Sequence, residues 1–491
     1  MARLGPPGRP VRWIEAADRG ALAQAGAVRL GSPALQGEAW ARRAGGATRY
    51  SLTGLAEGLA QREVMAELAA LLVAPLEPWD ALVCTSLAAQ KAVEAQLAAV
   101  AHHLKTRFEA ARIPPAVLVT IPQGVHTASF AFDPEARRRW REALGVPADA
   151  AAVLHIADER PTAGNPVPMA LALQQAARRV GQPLYAIFCG DIADAGFRKA
   201  AAGLCPEVHL RFVASADVRA HGPIWSAADV FLSLTDSLEE SFGRRVAEAM
   251  AAGLPSVVSD WDGHRTSIRH GTDGFRVRTT VPRPGLGADL AFRYAHGLAD
   301  AQAYMAAQTQ FTAVDLEQAG EALAALIRNP ELRGNMGAAA QARAQAVFDW
   351  KAIVPQHQAL WAELARRRQA APPQPPRSGG DNPWGLDPFH MFAAFATHAL
   401  APADTVQLTR AYPPADLAAL MAAPAVRGAD PRLPTLDQTK ALVAALSQDR
   451  PAAVGPLLAA FPADQRPVLE RGLVWLAKYG LLRIAARPAK G

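Results

Sequence analysis

The stretch ADVFLSLTDSLEESFGRRVAEAMAAGLPSVVSDWDG, residues 228–263, decides the fold class. It contains an apolar strand that ends near Leu234, a polar loop, a helix from about Arg244 and a second strand, SVVSD, at 256–260. Gly253, which stands two residues before a proline, is a typical helix stop. A strand, a helix and a strand in this order predict a parallel sheet with helices on both faces.

The same alternation continues on both sides of this stretch, from about residue 145 to 345. Short apolar runs that predict buried strands alternate with amphipathic helical patterns. We therefore expect a doubly wound α/β unit, in which ligands bind at the carboxyl ends of the strands. The segments outside the opening stretch are AAVLHIA (151–157), PMALALQQAARR (168–179), PLYAIFCG (183–190), VHLRFV (208–213) and GFRV (274–277).

A less regular α/β pattern occupies the first 125 residues. Strands that alternate with helices predict a second parallel sheet. The apolar runs that predict strands lie at 12–15, 27–30, 82–85 and 117–121, and the helical patterns lie at 62–72 and 87–104.

The composition narrows the classes of function. Lys and Arg number 51 and Asp and Glu 45, and the net charge of +6 over 491 residues does not by itself indicate a nucleic-acid partner. Cys84, Cys189 and Cys205 are far apart and form no CxxC pair, so neither a disulfide framework nor a zinc site is supported. The sequence has no signal-peptide pattern and no apolar run of roughly 18 residues. We expect a cytoplasmic protein.

Two glutamates in the opening stretch carry the strongest chemical signal. Glu240 lies in the polar loop, and Glu248 lies in the first two turns of the helix. The backbone amides of Phe242, Gly243 and Arg244 are expected to point outward at the helix start and to attract an anion. The two carboxylates can bind sugar hydroxyls, and the helix start can bind phosphate. A single ligand that carries both groups would suit this stretch. The alternative is a solvated helix start, where acidic residues are favoured without any ligand.

This stretch resembles the nucleotide-sugar site of the family-4 retaining glycosyltransferases, which have the GT-B fold. Their signature, two glutamates separated by seven residues, stands here as Glu240-Ser-Phe-Gly-Arg-Arg-Val-Ala-Glu248-Ala-Met-Ala. Two further family motifs stand as Gly253-Leu-Pro-Ser-Val-Val-Ser259 and Gly271-Thr-Asp-Gly-Phe275. The resemblance covers roughly residues 80–368.

The resemblance implies a role for each matched position and no metal or cofactor. Glu248 would bind the ribose of the donor, and Glu240, the catalytic position, would face the transferred sugar. The other implied donor-binding residues would meet the sugar and the diphosphate through backbone amides or a guanidinium group. They are Ser241, Phe242, Gly243, Arg244 and Arg160.

The sequence departs from the family pattern where the donor diphosphate is usually neutralised. Family members place an Arg and a Lys after the first strand of the second unit. Here the Arg position falls at about Ala157 and the Lys position at about Ala163 or Gly164. Arg160 is the nearby candidate substitute.

The resemblance also predicts the division of the chain. The fold would be α/β of the GT-B type, with two facing Rossmann-like domains, of which the first is short, and a helix that crosses back between them. A Pro/Gly-rich linker and a mainly helical accessory domain would follow. The end of that domain, residues 467–484, fits either a winged-helix module or a helical packing domain. The five segments are 1–140, 141–346, 347–370, 371–383 and 384–491.

Two functions from different classes follow. The first is an enzyme that moves a hexose from a nucleotide-diphosphate sugar to a hydroxyl acceptor with retention, in polysaccharide or glycoconjugate biosynthesis. The acceptor would be a glycan, a lipid-linked or a protein hydroxyl. The alternative is a degenerate, inactive relative that serves as a binding or scaffolding partner. Contact with a membrane surface or with a homologous transferase fits either function, and a nucleic-acid partner is not expected.

Overall fold

Two separate parallel sheets form within the first of two compact units, residues 1–379 and 380–491. The computed structural model describes residues 12–156, 166–190, 195–214, 223–374, 382–411, 413–423, 426 and 433–486.

The first sheet has four parallel strands in the order β1-β2-β3-β4. The predicted strand at 12–15 is wrong, because this run has no sheet to cover it and Trp13 is 92% exposed. Strand β2 falls on a segment that apolar runs do not mark. The elements are α1 (Arg19–Ala25), β1 (Ala27–Arg29), α2 (Gln36–Gly45), β2 (Ser51–Ala56), α3 (Arg62–Ala70), β3 (Ala81–Cys84), α4 (Leu87–Phe108) and β4 (Leu118–Thr120).

A buried ion pair anchors this first sheet. Both guanidinium nitrogens of Arg42 donate to the carboxylate of Asp80, at 2.5 and 2.6 Å, and both side chains are almost fully buried. Asp80 also accepts the backbone N–H of Leu52, and Arg42 donates to the carbonyl of Tyr50. The two charges are therefore satisfied inside the core, as buried charges must be.

The second sheet has six parallel strands in the order β10-β9-β8-β5-β6-β7. Its strands agree with the sequence prediction to within one or two residues, because strands buried on both faces appear as apolar runs. The elements are α5 (Pro134–Leu144), β5 (Ala151–Ile156), α6 (Val167–Val180), β6 (Leu184–Cys189), α7 (Ala195–Leu204), β7 (Val208–Val213), β8 (Val230–Ser233), α8 (Arg244–Ala251), β9 (Ser256–Ser259), α9 (His264–Ser267) and β10 (Gly274–Val277).

A helical insertion, residues 281–312, follows the second sheet and reaches the first-sheet half. It lies between two short antiparallel strands. The hydroxyl of Tyr294 donates to the carbonyl of Ala60 at 3.0 Å, and Arg62 donates to the carbonyl of Tyr294. The elements are β11 (Thr279–Thr280), α10 (Ala288–Ala295), α11 (Ala301–Thr309) and β12 (Ala313–Val314), before α12 (Leu316–Arg328) and α13 (Pro330–Arg343).

A long helix, α14 (Trp350–Ala370), then returns to the first sheet. Ile353 packs with Val83, and Leu364 packs with Trp79; all four side chains are buried. At the crossing, Gly124 allows close approach, because a Cβ there would lie 2.3 Å from the Trp350 ring. The predicted α/β fold with two parallel sheets and a returning helix is confirmed.

The second unit contains a three-stranded antiparallel sheet in the order β14-β13-β15, together with helices. Its core includes Val406, Leu442, Leu469 and Leu473, all fully buried. Within the described residues no helix of the chain is both long and apolar enough to span a bilayer. The elements are α15 (Pro388–Met391), β13 (Thr405–Leu408), α16 (Pro414–Ala422), α17 (Leu436–Ala444), β14 (Ala452–Ala453), α18 (Val454–Ala459), α19 (Arg466–Lys478) and β15 (Leu482–Ala485).

Candidate functional site

The topology of the second sheet marks a ligand-binding crevice. Strand β5 lies between β6 and β8, so the strand order reverses between β5 and β8. Ligands of doubly wound sheets bind outside the carboxyl ends of the strands at such a point. The loop after β8, residues 234–243, lies there. The loop after β5, with Ala157, Arg160, Ala163 and Gly164, lies outside the described residues.

The loop after β8 is held to the end of the neighbouring strand β9. The Ser259 hydroxyl donates to the carbonyl of Thr235 at 2.6 Å, and the indole N–H of Trp261 donates to the carbonyl of Ser237 at 2.8 Å. Thr235 and Ser237 are buried. These bonds fix the path of the loop that leads to Glu240 and α8.

The start of α8 differs from the sequence expectation at one amide. The backbone N–H of Gly243 does not stay open, because it donates to Oε1 of Glu240 at 2.9 Å. Gly243 has φ of 80°, and a Cβ there would lie 2.6 Å from Cδ2 of His264. The ring of Phe242 is buried against Phe348, so Phe242 can meet a ligand only through its backbone.

Glu248 is buried one turn further along α8. Its Oε2 lies 2.9 Å from Nη1 of Arg245, and its Oε1 lies 3.6 Å from Nε of Arg244. Only 7% of the residue is exposed. The two guanidinium groups balance its charge, and a carboxylate offers about four acceptor positions, so it can accept further hydrogen bonds.

The structure brings together the predicted residues Glu240 and Glu248 with the helix start between them. The intervening predicted residues are half-buried or buried, except Arg244, which is exposed. They belong to one continuous loop and helix at the crevice. These intervening residues are Ser241, Phe242, Gly243 and Arg244.

A second wall of the crevice comes from the first-sheet half. The hydroxyl of Thr85 donates to the carbonyl of Ser241 at 3.3 Å, and Gln61 donates to Glu239 at 2.7 Å. We call residues 57–62 and 85–89 the first-sheet wall and residues 234–263 the second-sheet wall. The first-sheet wall follows the carboxyl ends of β2 and β3.

Two aspartates after β9 have contrasting environments. Asp260 is ion-paired with Arg276 at 3.0 Å and with Arg265 at 3.8 Å. Among the described residues no cation is paired with Asp262, which instead accepts the hydroxyl of Ser86 at 2.6 Å. Burial raises the pKa of the Asp262 carboxyl to about 6, although the Ser86 hydrogen bond opposes this shift.

Histidine side chains in this region are kept neutral by burial. Burial lowers the pKa of His264, which is fully buried, to about 4. Burial likewise lowers the pKa of His155 to about 4, and its ring Nδ1 donates to the carbonyl of Leu232 at 2.8 Å across the β5–β8 boundary. Among the described residues, no group of His, Cys, Asp and Glu side chains is arranged to hold a metal ion.

Sequence reasoning missed the contact between Ser86 and Asp262. These residues are 176 positions apart, so no spacing rule connects them. A local signal existed for each one. Ser86 follows an apolar strand and precedes a helix, as an N-cap serine does, and Asp262 precedes a glycine in a turn sequence.

The comparisons with known proteins agree on one part of the chain. Residues 169–284 match the family model described as "Glycosyl transferases group 1". This segment includes the loop after β8, both glutamates and the two aspartates.

Two curated relatives match about a third of the chain. The chain is 30% identical over 178 residues to the D-inositol 3-phosphate glycosyltransferase of Thermobispora bispora, which covers 35% of this chain and 41% of that protein. It is 30% identical over 198 residues to the GDP-mannose-dependent alpha-(1-6)-phosphatidylinositol monomannoside mannosyltransferase of Mycolicibacterium smegmatis. This match covers 37% of this chain and 50% of that protein. The chain thus spans about half or less of the length of these relatives.

A solved structure is also similar to part of the chain. The crystal structure of Anabaena HepE in complex with UDP is 18% identical, with a TM-score of 0.47, and covers 70% of this chain and 82% of that chain. The two parallel sheets and the returning helix are the arrangement of a GT-B fold, and residues 169–284 within it match the glycosyl transferases group 1 model.

Proposed function

We propose that this chain transfers a hexose from a nucleotide-diphosphate sugar to a hydroxyl acceptor, with retention of the anomeric configuration. The observation that carries the proposal is the position of Glu240 and Glu248. Both lie on one loop and helix at the point where the strand order of the second sheet reverses, inside the segment that matches the transferase model.

In this reaction, residues of the second-sheet wall hold the donor. Glu248, already buried and balanced by two arginines, accepts hydrogen bonds from the ribose of the donor. Glu240, whose Oε1 accepts the backbone N–H of Gly243 at the start of α8, faces the transferred sugar. The backbone of Ser241 and Phe242 lines the path between them.

The leaving diphosphate needs positive charge, because no metal or cofactor is part of the proposal. Arg244 stands at the start of α8 with 55% of its side chain exposed, and its guanidinium group can turn toward a phosphate. We assign Arg160 the same task, although it lies outside the described residues. The leaving phosphate oxygen accepts the proton of the acceptor hydroxyl, so no side chain need act as a base.

The alternative, an inactive binding or scaffolding protein, is favoured by two observations. The sequence lacks the usual Arg and Lys at about Ala157 and Ala163. The amide of Gly243 and the carboxylate of Glu248 also have partners within the chain itself. A site that satisfies its own polar groups is stable without a ligand.

Isothermal titration with UDP and with GDP separates these functions. The enzyme requires binding of one nucleotide and release of that nucleotide from the matching sugar donor. Absence of binding at millimolar nucleotide would overturn the proposal of a donor site. Binding without turnover of any donor, in the presence of a broad acceptor panel, would favour the scaffolding function.

A further inference from the structure

A cavity of about 450 Å³ lies between the two halves of the first unit, beside the contact of Ser86 with Asp262. Its volume is in the range of small-molecule sites. Both halves and the helical insertion contribute to its walls. Most of the lining is apolar, and the side chains that define it include Leu59, Met65, Leu68, Leu238 and Trp261.

Two carboxylates line this cavity, and only one of them is neutralised. Asp260 forms ion pairs with Arg276 and Arg265. Asp262 has no cation beside it, and among the described residues only the hydroxyl of Ser86 bonds to it, at Oδ1. A carboxylate in an apolar cavity is costly unless hydrogen-bond donors satisfy it. Oδ2 of Asp262 is therefore a free acceptor at the edge of an apolar cavity.

The backbone of Asp262 is strained as well. Its φ of 35° lies in the left-handed region, where a residue other than glycine costs about 1–3 kcal/mol. The next residue, Gly263, fits against the Phe242 backbone so closely that a Cβ would lie 2.3 Å from it. The strained turn thus holds the Asp262 carboxylate beside the loop that leads to α8. Strain of this kind is characteristic of ligand-binding positions.

We propose that this cavity binds the acceptor, that the acceptor is a small amphiphilic molecule with an alkyl or aryl group, and that Oδ2 of Asp262 accepts a hydrogen bond from one of its hydroxyls. The inference rests on the proposed transferase function and narrows its acceptor class. The apolar walls receive the alkyl or aryl group. Asp262 and Ser86 hold the hydroxylated end close to Ser241, where the first-sheet wall meets the second-sheet wall.

Asp262→Gly is the decisive variant. Glycine adopts a φ of 35° without strain, so the protein should remain folded while the carboxylate is lost. The probe is octyl β-D-glucopyranoside below its micellar concentration, followed by isothermal titration. We expect the variant to bind this probe at least about tenfold more weakly, because hydrogen bonds to charged groups are lost. Affinity for UDP or GDP should stay the same.

Two further variants are matched to this one. Asp260→Asn removes the neighbouring carboxylate charge in the same cavity and should change probe affinity less than threefold. Ala92→Phe, at an exposed position of α4 that lines the cavity, should fill it and abolish octyl glucoside binding. Free glucose, which has no apolar group, should bind the unaltered protein far more weakly than the octyl glucoside.

The outcomes separate this inference from the proposed function. If UDP or GDP binds but octyl glucoside does not, or binds Asp262→Gly as well as the unaltered protein, the acceptor inference is wrong and the donor site stands. If the glucoside binds in an Asp262-dependent way but neither nucleotide binds, the cavity stands as a ligand site and the transferase proposal fails.

Discussion

The two walls of the crevice are built in different ways. The second-sheet wall is a continuous piece of sequence, residues 234–263, and carries charged groups such as Glu240, Glu248 and Asp260. The first-sheet wall is assembled from residues that follow two strands, and beside the charged Glu57 and Arg62 it presents hydroxyl and apolar groups, including Ser86 and Leu59. The charged groups of the second-sheet wall suit a polar nucleotide sugar. The apolar groups of the first-sheet wall suit an acceptor that has an apolar part. The proposed donor contacts therefore lie on one piece of the chain, whereas the proposed acceptor cavity needs Asp262 of that piece together with the first-sheet wall.

The largest expected effect comes from Asp80→Ala. This variant tests whether the first-sheet half can be destabilised without a change in nucleotide affinity. The change leaves Arg42 charged and buried, which should cost about 3–5 kcal/mol of unfolding free energy. Urea unfolding measures this loss. Glu38→Ala, which removes a partly exposed ion pair with Arg19, should cost less than about 1 kcal/mol. If the folded Asp80 variant also loses nucleotide affinity, the two walls are not separable.

Glu248→Ala tests whether the second-sheet wall binds the nucleotide. It removes the carboxylate proposed to bind the ribose and leaves Arg244 and Arg245 without their partner, so nucleotide affinity should fall about 100-fold, or about 3 kcal/mol. Isothermal titration provides the measurement. Glu317→Ala, an exposed glutamate on α12, is the matched control and should bind nucleotide normally. Unchanged affinity in the Glu248 variant would remove that residue from the donor site.

The pH dependence of stability tests two ionisable groups at the end of the second-sheet wall, Asp262 and the adjacent His264. His264 has a folded pKa of about 4, below its usual 6.5, so the unfolded state binds more protons between these values and stability falls as the pH falls. For a fully buried group this difference corresponds to about 3 kcal/mol. Asp262, with its pKa raised to about 6, acts in the opposite direction, since protonation at lower pH favours its folded form.

Two variants distinguish these opposing contributions. His264→Asn should flatten the loss of stability between pH 6.5 and 4, and Asp262→Asn should steepen it between pH 6 and 4. Thermal unfolding across this range measures both slopes. The charged groups that line the cavity with Asp262 are Asp260 and Arg265. If stability depended on pH equally in the unaltered protein and in both variants, the contributions given to His264 and Asp262 would be wrong.

The smallest expected effect comes from Tyr294→Phe in the helical insertion. The change removes one hydrogen bond, to the carbonyl of Ala60, and keeps the ring that stacks on Tyr304. We expect a loss of about 1 kcal/mol in unfolding free energy and no change in nucleotide affinity. Tyr304→Phe, which keeps the same stack, is the control. A large loss of nucleotide affinity would show that the helical insertion also contributes to nucleotide binding by the second-sheet wall.

The sequence predicted the second sheet better than the first for a physical reason. Strand β6 agrees with its predicted range to within one residue, because its apolar residues, LYAIFC, follow one another without interruption. Strand β2 is buried too, but Ser51, Thr53 and Gly54 interrupt its apolar pattern. At the site, Glu240 and Glu248 belong to a local motif, whereas the Ser86–Asp262 contact depends on how two distant strand ends meet in space.

The helix that returns to the first sheet has a consequence for biosynthesis. Leu364 and Ile353 complete the apolar layers against Trp79 and Val83, so the first-sheet half lacks part of its core until those residues have left the ribosome. Chains emerge amino terminus first, and nascent apolar surfaces are prone to aggregate. The core of the first-sheet half therefore stays incomplete while the whole of the second sheet is translated.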